Sequence, residues 1–542
     1  MQTLYVHYKK TLVGVLQYDS LTNDFSFIYD DNWIKNGFEL SPSLKFSGYE
    51  DYAFKLFVEN LLPEGDGLEE MSIYYQISKS DKFSILKHIG SETTGALTFI
   101  DTQELNIATT FREIPIDELK ERVSKRDVQP IILWDEKLRL SLAGVQEKLA
   151  VAIIDGVIGL GEGDICSTHI LKFNRKNENV ILNEYISLKL AKAVGINVVD
   201  VEYKKIGNEP VLFVKRFDRK TISNEYVERL HIIDSTQALG YPSTYKYERL
   251  YNSKDIRDGV SFQKLFHLAE EAKIPLLFKK GLVTWNMINL ILGNSDAHGK
   301  NISFFVDKDG LEIAPFYDIV NVTMYKGQYA QDMAMAIDDE FEFEKIAVYD
   351  MLEFLQQNKI SKTQYFNDFR KLAQKIYKHL DFSFIDSSLR EEEQEFIEAY
   401  KINIIQRLSR LSDVINRMRY DLPFEGESYE EFFDNHREAI VKKVGKGNYS
   451  KGEAVEKYLL SIEGALIPSQ FDDIVSLSSI HEGNFESETV ETKEETSLKD
   501  VEIARDEAKA NNKAEVVKKE ETTDLGINTT LEEEIDGSIA PK

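Results

Sequence analysis

Asn294-Ser295-Asp296-Ala297-His298-Gly299-Lys300-Asn301 decides the reading of this chain, together with Pro315-Phe316-Tyr317-Asp318 downstream. The first stretch sets a carboxylate and a carboxamide five positions apart in a run of turn formers. The second closes a short apolar strand, 311–317, with another carboxylate. Carboxylate, carboxamide and carboxylate in this order suit a site that takes a proton from a hydroxyl and holds a divalent cation through oxygen ligands. Asp296 is the candidate proton acceptor. Asn301 and Asp318 are the candidate ligands, and Lys300 could neutralise charge that develops during the reaction. The bland alternative is a polar loop capping a helix, and Asp318 after an apolar strand argues against it.

Upstream, 138–218 reads as strands interrupted by one helix, 183–194. Lys172 lies inside the apolar run 169–173, where an ammonium is costly unless paired. Glu184 at the start of the helix is its candidate partner. The alternatives are a lysine on an exposed edge and a surface acid at a helix start. Ser141-Leu142-Ala143-Gly144-Val145-Gln146-Glu147-Lys148 precedes the first of these strands. Its small residues let backbone N–H groups approach phosphates, and Lys148 adds charge. Its single glycine also fits an ordinary turn. Val214-Lys215-Arg216-Phe217-Asp218-Arg219 ends the last strand and reads as a hinge, with Phe217 available to pack on a flat ring.

The amino-terminal part, 1–105, reads as a β meander (4–8, 12–18, 25–29) with a tip at Asn23-Asp24. A helix over 51–64, further helices through 67–90 and a returning strand at 96–100 follow. A connector with one polar helix near 116–124 spans 106–135. From 256 to 420 the apolar spacing is helical at 260–272, 277–292, 348–358, 365–380 and 390–417, broken by strand-like text at 303–319. Asp234 is placed to cap the helix containing Gln237. One or two amphipathic helices fit 428–480. Beyond 484 the chain is rich in Glu, Lys, Thr and Asn and poor in aromatics, a composition that predicts disorder.

The 542 residues exceed one core and imply several structural units. A net charge of −27 argues against general nucleic-acid binding, which needs a basic surface. Cys166, the single cysteine, excludes an internal disulfide framework and suits a reducing compartment. No signal peptide or membrane span is expected, and the expected location is the cytoplasm. His231 and His298 read as hydrogen-bonded loop residues rather than metal ligands.

The order of these segments is similar to that of a kinase, with a small lobe of strands and one helix, a hinge, and a helical large lobe carrying the catalytic loop. More closely, it resembles the HipA family, the kinase component of bacterial toxin–antitoxin modules. The resemblance covers about 1–420. It rests on 141–148, Thr168 to Lys172, Asn183-Glu184-Tyr185, 216–219, Gln237-Ala238-Leu239-Gly240, 296–301 and 315–318. It implies an α+β, bilobed, protein-kinase-like fold with a β-rich subdomain at 1–105, a connector and small lobe at 106–218 and a helical large lobe at 219–425. A helical extension at 426–483 and an acidic tail at 484–542 lie outside the family core.

The resemblance implies a serine/threonine kinase using ATP and magnesium. Asp296 falls on the catalytic base, Asn301 and Asp318 on the metal ligands, and Lys172 on the ATP lysine. Ala143, Gly144, Val145, Lys148, Lys215, Phe217 and Tyr317 are candidate ATP contacts, with Glu184 and His298 in support. Ser141 falls on a serine that the family autophosphorylates as an off-switch. A phosphate there is repelled by the phosphates of ATP. Family substrates include translation proteins such as aminoacyl-tRNA synthetases. The implied partner is a HipB-type antitoxin, through which any contact with DNA is indirect. Lys215 departs from the family pattern, which has an acidic residue there. Two rivals stand beside this reading: a lipid or small-molecule phosphotransferase, and a non-catalytic scaffold or co-repressor.

Overall fold

The computed structural model describes residues 1–444 except 51, 136, 140–146, 175–177, 251–254, 386–388 and 420–428. Strands Gln2–Tyr8, Thr11–Asp19 and Asp24–Tyr29 form the expected meander, and Leu97–Ile100 returns to pair with the first of them. Strict alternation of exposed and buried residues along Asp24–Tyr29 lays one face on the core. Asn23 adopts φ 60 at the tip, a conformation Asn tolerates. Helix Ala53–Glu59 buries Ala53, Phe54, Phe57 and Val58, and Phe54 stacks on Phe27 at 3.8 Å. It is shorter than the sequence suggests, and the turn that follows carries Asn60 to Glu64 toward the large lobe.

The small lobe is a six-stranded antiparallel sheet in the order Val201–Ile206, Glu209–Lys215, His169–Phe173, Lys148–Ile154, Val157–Glu162 and Thr110–Glu113. Two of these strands depart from the expectation. Thr110–Glu113 draws the connector into the sheet, and Val157–Glu162 runs through Gly159 and Gly161 without a break. Gly159 is required there, because a Cβ would lie 2.5 Å from the Phe111 ring on the neighbouring strand. Helix Val180–Ala193 packs on the sheet and starts earlier than expected, so Glu184 falls inside the helix.

The large lobe is helical, with Pro275–Leu292, Val348–Gln357, Lys362–Lys378 and Glu391–Arg419 matching the expected segments closely. Phe262–His267 is shorter than expected and continues as a 3-10 turn through Glu271. Strands Ile232–Asp234, Ser303–Asp307 and Gly310–Ile313 make a small three-stranded sheet. Asp234 caps helix Ser235–Leu239 in a capping box with Gln237. Among the described residues, no helix is long and apolar enough to cross a membrane.

His231 makes this packing sensitive to acid. Its Nε2–H donates to the Leu40 carbonyl at 2.9 Å, while Nδ1 is buried without a hydrogen-bond partner. Burial pushes its pKa from 6.5 down to about 4, so the folded chain holds it neutral. The unfolded chain then binds the extra proton between those values, and stability is lost as pH falls through that window. Lowering the pH from 7 to 5 is expected to cost about 2 kcal/mol from this residue. His231→Gln keeps a donor for Leu40 and removes the titration. Thermal unfolding at both pH values should show a smaller acid loss in the variant, and an equal loss would refute the assignment.

Candidate active site

Helix Pro275–Leu292 stops at Gly293, which sits at φ 68. A Cβ there would lie 2.7 Å from Thr323 Oγ1 and 2.9 Å from Arg407 Nε, so glycine is needed for space as well as for backbone conformation. The loop that follows is tightly bonded. The His298 N–H and the Asn301 side-chain N–H both donate to the Asp296 carbonyl at 2.8 Å. Ser295 Oγ donates to the Ala330 carbonyl at 2.9 Å, and the Ala334 N–H donates to the Ser295 carbonyl at 2.9 Å. From Asn294 to Asn301 every residue is buried except Asp296, which is exposed. A fixed loop therefore presents one carboxylate. Its Oδ1 accepts from the Tyr247 hydroxyl at 2.6 Å. Burial and the Asp296 charge hold that phenol protonated, well above its ordinary range. His298 Nδ1 accepts from the Lys300 N–H, and burial lowers its pKa, so it serves as a neutral loop brace.

Lys172 points from strand His169–Phe173 into the interior. Its ammonium donates to both oxygens of Glu184, at 2.7 and 2.9 Å, and to Asp318 Oδ1 at 2.6 Å. All three N–H donors are thus engaged. Burial alone would lower this pKa, but Asp318 and Glu184 overcome it and hold Lys172 charged. Glu184 is only 1% exposed, which removes the surface-acid alternative. Burial raises its pKa above the ordinary carboxyl range, since one ammonium serves two carboxylates. Asp318 is half-buried. Burial opposes its charge, yet Lys172 draws its pKa down to about 2. Lys148 stands opposite Lys172 in the sheet register, and burial, then the Lys172 charge, pushes its pKa down to about 8.

Asp318 does not end a strand, as the sequence suggested. The strand stops at Ile313, Phe316 is then bonded to Asn197 and Val199, and Asp318 follows at φ 54. Aspartate tolerates that conformation, which turns the carboxylate toward Lys172. A residue whose role the sequence did not disclose holds the turn. Asn183 Oδ1 accepts from the Asn321 N–H at 2.7 Å, and Asn183 Nδ2 donates to the Asn321 carbonyl at 3.0 Å. Neighbouring residues on one helix therefore fix both halves of the ion pair, with Glu184 on Lys172 and Asn183 on the Asp318 turn. The sequence signal was a buried-face Asn beside Glu184. Tyr247 was equally silent, a tyrosine in a run that carried no chemistry of its own.

Two candidate residues lie elsewhere than expected. The Lys300 ammonium donates to the Asn60 carbonyl at 2.8 Å and lies 3.3 Å from Glu64 and 3.4 Å from Asp234. It is committed to these three partners rather than left open to a phosphoryl group. Lys215 is exposed, and it lines a cavity of about 360 Å3 with Lys192, Asn197, Asp200, Phe217 and Pro315 rather than with Lys172 and Asp318. Phe217 stacks on Tyr317 at 5.6 Å, and the Tyr317 hydroxyl donates to the Lys300 carbonyl at 2.7 Å. Arg216, Asp218 and Arg219 turn inward. Asp218 accepts from Arg216 at 2.9 and 2.8 Å, from Arg219 at 2.7 Å and from the Gly95 N–H at 2.9 Å. Ser141, Ala143, Gly144 and Val145 lie outside the described residues.

Known proteins resemble this chain over most of its length. The HipA N-terminal domain model matches residues 4–100, and the HipA-like C-terminal domain model matches 140–382. The chain is 36% identical over 424 residues to the serine/threonine-protein kinase toxin HipA of Shewanella oneidensis, covering 77% of this chain and 98% of that one. It is 30% identical over 353 residues to Y4mE of Sinorhizobium fredii, covering 62% and 81% respectively. The solved complex of Shewanella oneidensis HipA, HipB and operator DNA contains a chain that superposes with a TM-score of 0.71, at 36% identity over 77% of this chain and 99% of that one. The two-lobed architecture, the buried Lys172–Glu184 pair and these matches agree: the chain belongs to the HipA family of serine/threonine-protein kinases.

Proposed function

We propose that this kinase transfers the γ-phosphoryl group of ATP to a serine or threonine hydroxyl of a protein, using magnesium. The observation that carries the reading is Lys172 held between buried Glu184 and half-buried Asp318, beside a rigid loop whose one exposed side chain is Asp296. Asp296 orients the acceptor hydroxyl and takes its proton. Asn301 spends its amide N–H on the Asp296 carbonyl, which leaves Oδ1 as an oxygen ligand. Ionised Asp318 is a second. Among the described residues no three His, Cys, Asp or Glu side chains converge, so these two would share a cation with phosphate oxygens. Bound there, magnesium would neutralise charge on the phosphates. With Asp318 holding a cation instead, the third N–H of Lys172 would be available to a phosphate.

Ser141 is the proposed autophosphorylation site, and a HipB-like DNA-binding antitoxin is the proposed partner. The partner reading rests on the relative solved with HipB and operator DNA, almost all of which this chain covers. The net charge of −27 disfavours an anionic lipid substrate. Incubation with ATP and magnesium, followed by peptide mass spectrometry, tests the reading. Phosphate on Ser141, lost when EDTA replaces magnesium, is expected. Phosphate that accumulates equally in EDTA would refute metal dependence, and an unmodified Ser141 in an otherwise phosphorylated chain would refute the switch.

A further inference from the structure

Lys300 lies between Asp296 and Asn301 in sequence, yet its side chain reaches into the amino-terminal subdomain, with Asp234 of the large lobe also 3.4 Å from its ammonium. Its ammonium is bonded to both oxygens of Asn60, at 2.8 and 3.1 Å, and paired with Glu64 at 3.3 Å. Asn60 is itself fixed from the large lobe. It donates to the Tyr241 carbonyl at 2.8 Å and accepts from Thr236 Oγ1 at 2.9 Å. Glu64 acts a second time: its other oxygen accepts from Lys246 at 2.7 Å, and the Lys246 carbonyl accepts from the Gly299 N–H at 2.8 Å. One carboxylate thus reaches Gly299 and Lys300 by two routes.

Gly299 leaves the loop little freedom to respond, since a Cβ there would lie 2.7 Å from Val260 and 2.9 Å from Ser235 Oγ. The amino-terminal subdomain also grips the hinge. Glu92 lies 3.8 Å from the guanidinium groups of Arg216 and Arg219, and the Gly95 N–H donates to Asp218. Buried charges fix the subdomain at both places, and they resist separation because each would be left unpaired.

Resting on the kinase reading above, we propose that Glu64, with Asn60, is a positioning residue for the catalytic loop, so that the amino-terminal subdomain sets the placement of Asp296 and Asn301. Neither residue is assigned a role in proton transfer, ATP binding or metal binding. They act through Lys300 and Gly299, and a small displacement of reacting groups is enough to cost rate.

The test is steady-state phosphoryl transfer by the full chain, with kcat and KM for ATP measured separately. The variants are Glu64→Gln, Glu64→Asp and Lys45→Ala. Lys45 joins the same two parts of the molecule through an exposed ion pair with Glu271 at 2.6 Å, and serves as a control for docking alone. Glu64→Gln is expected to lower kcat about tenfold with KM for ATP changed less than about twofold. Glu64→Asp, which keeps the charge, should recover part of that loss, and Lys45→Ala should match wild type. An unchanged kcat in Glu64→Gln would overturn the proposal, as would an effect confined to KM or an equal loss in Lys45→Ala. An inactive wild-type chain would instead overturn the proposed function.

Discussion

Asp296→Asn is expected to lower phosphoryl transfer by about 10^2–10^4-fold, the range a positioned general base contributes. The substitution is isosteric, and Asn can still accept from Tyr247, which donates to Asp296 at 2.6 Å. The loop should also survive, because its bonds run through the Asp296 carbonyl and not its carboxylate. Nucleotide binding and the thermal midpoint should therefore stay near wild type. Measuring all three separates chemistry from folding. A variant that keeps more than about a tenth of the activity would remove Asp296 from the proton-accepting role.

Lys172→Met is expected to damage both activity and stability, for one reason. The ammonium is the counter-ion of Glu184, which is 1% exposed, and of Asp318. Removing it strands a buried carboxylate at a cost of about 3–5 kcal/mol. Proton uptake by Glu184 limits that cost, since burial already raises its pKa. The double variant Lys172→Met/Glu184→Gln should recover most of the stability, because the stranded charge is gone, and none of the activity. Urea unfolding of both variants beside an ATP-binding measurement tests this. Equal stability of the single and double variants would show that the pair is not the origin of the loss, and ATP affinity unchanged in the double variant would deny Lys172 its phosphate contact.

Features written locally in the chain were legible. The strand around Lys172, the helices of the large lobe and the 294–301 loop all declare themselves through spacing and turn chemistry. Glu184 could be named as the partner because a charged residue in an apolar strand demands one nearby. Lys300 was misread because its partner Asn60 is 240 positions away, and no local pattern carries that information. Val157–Glu162 was overlooked because its glycines look like turn formers, whereas Gly159 lets the Phe111 ring approach and Gly161 makes room for the Ile165 carbonyl. In the sequence the hinge charges look like a charged strand end. Only the docking of Glu92 and Gly95 reveals them as a buried network. Asn183 shows the limit from the other side, since its role depends on the left-handed turn at Asp318, which sequence spacing does not encode.

Transfer of label from γ-32P-ATP to protein, with phosphoamino-acid analysis of the product and Asp296→Asn run in parallel, tests the central claim most directly. Phosphoserine or phosphothreonine on protein is expected from the wild-type chain, and almost none from the variant. Nucleotide bound by both, with label remaining in ATP or released only as inorganic phosphate, would contradict it.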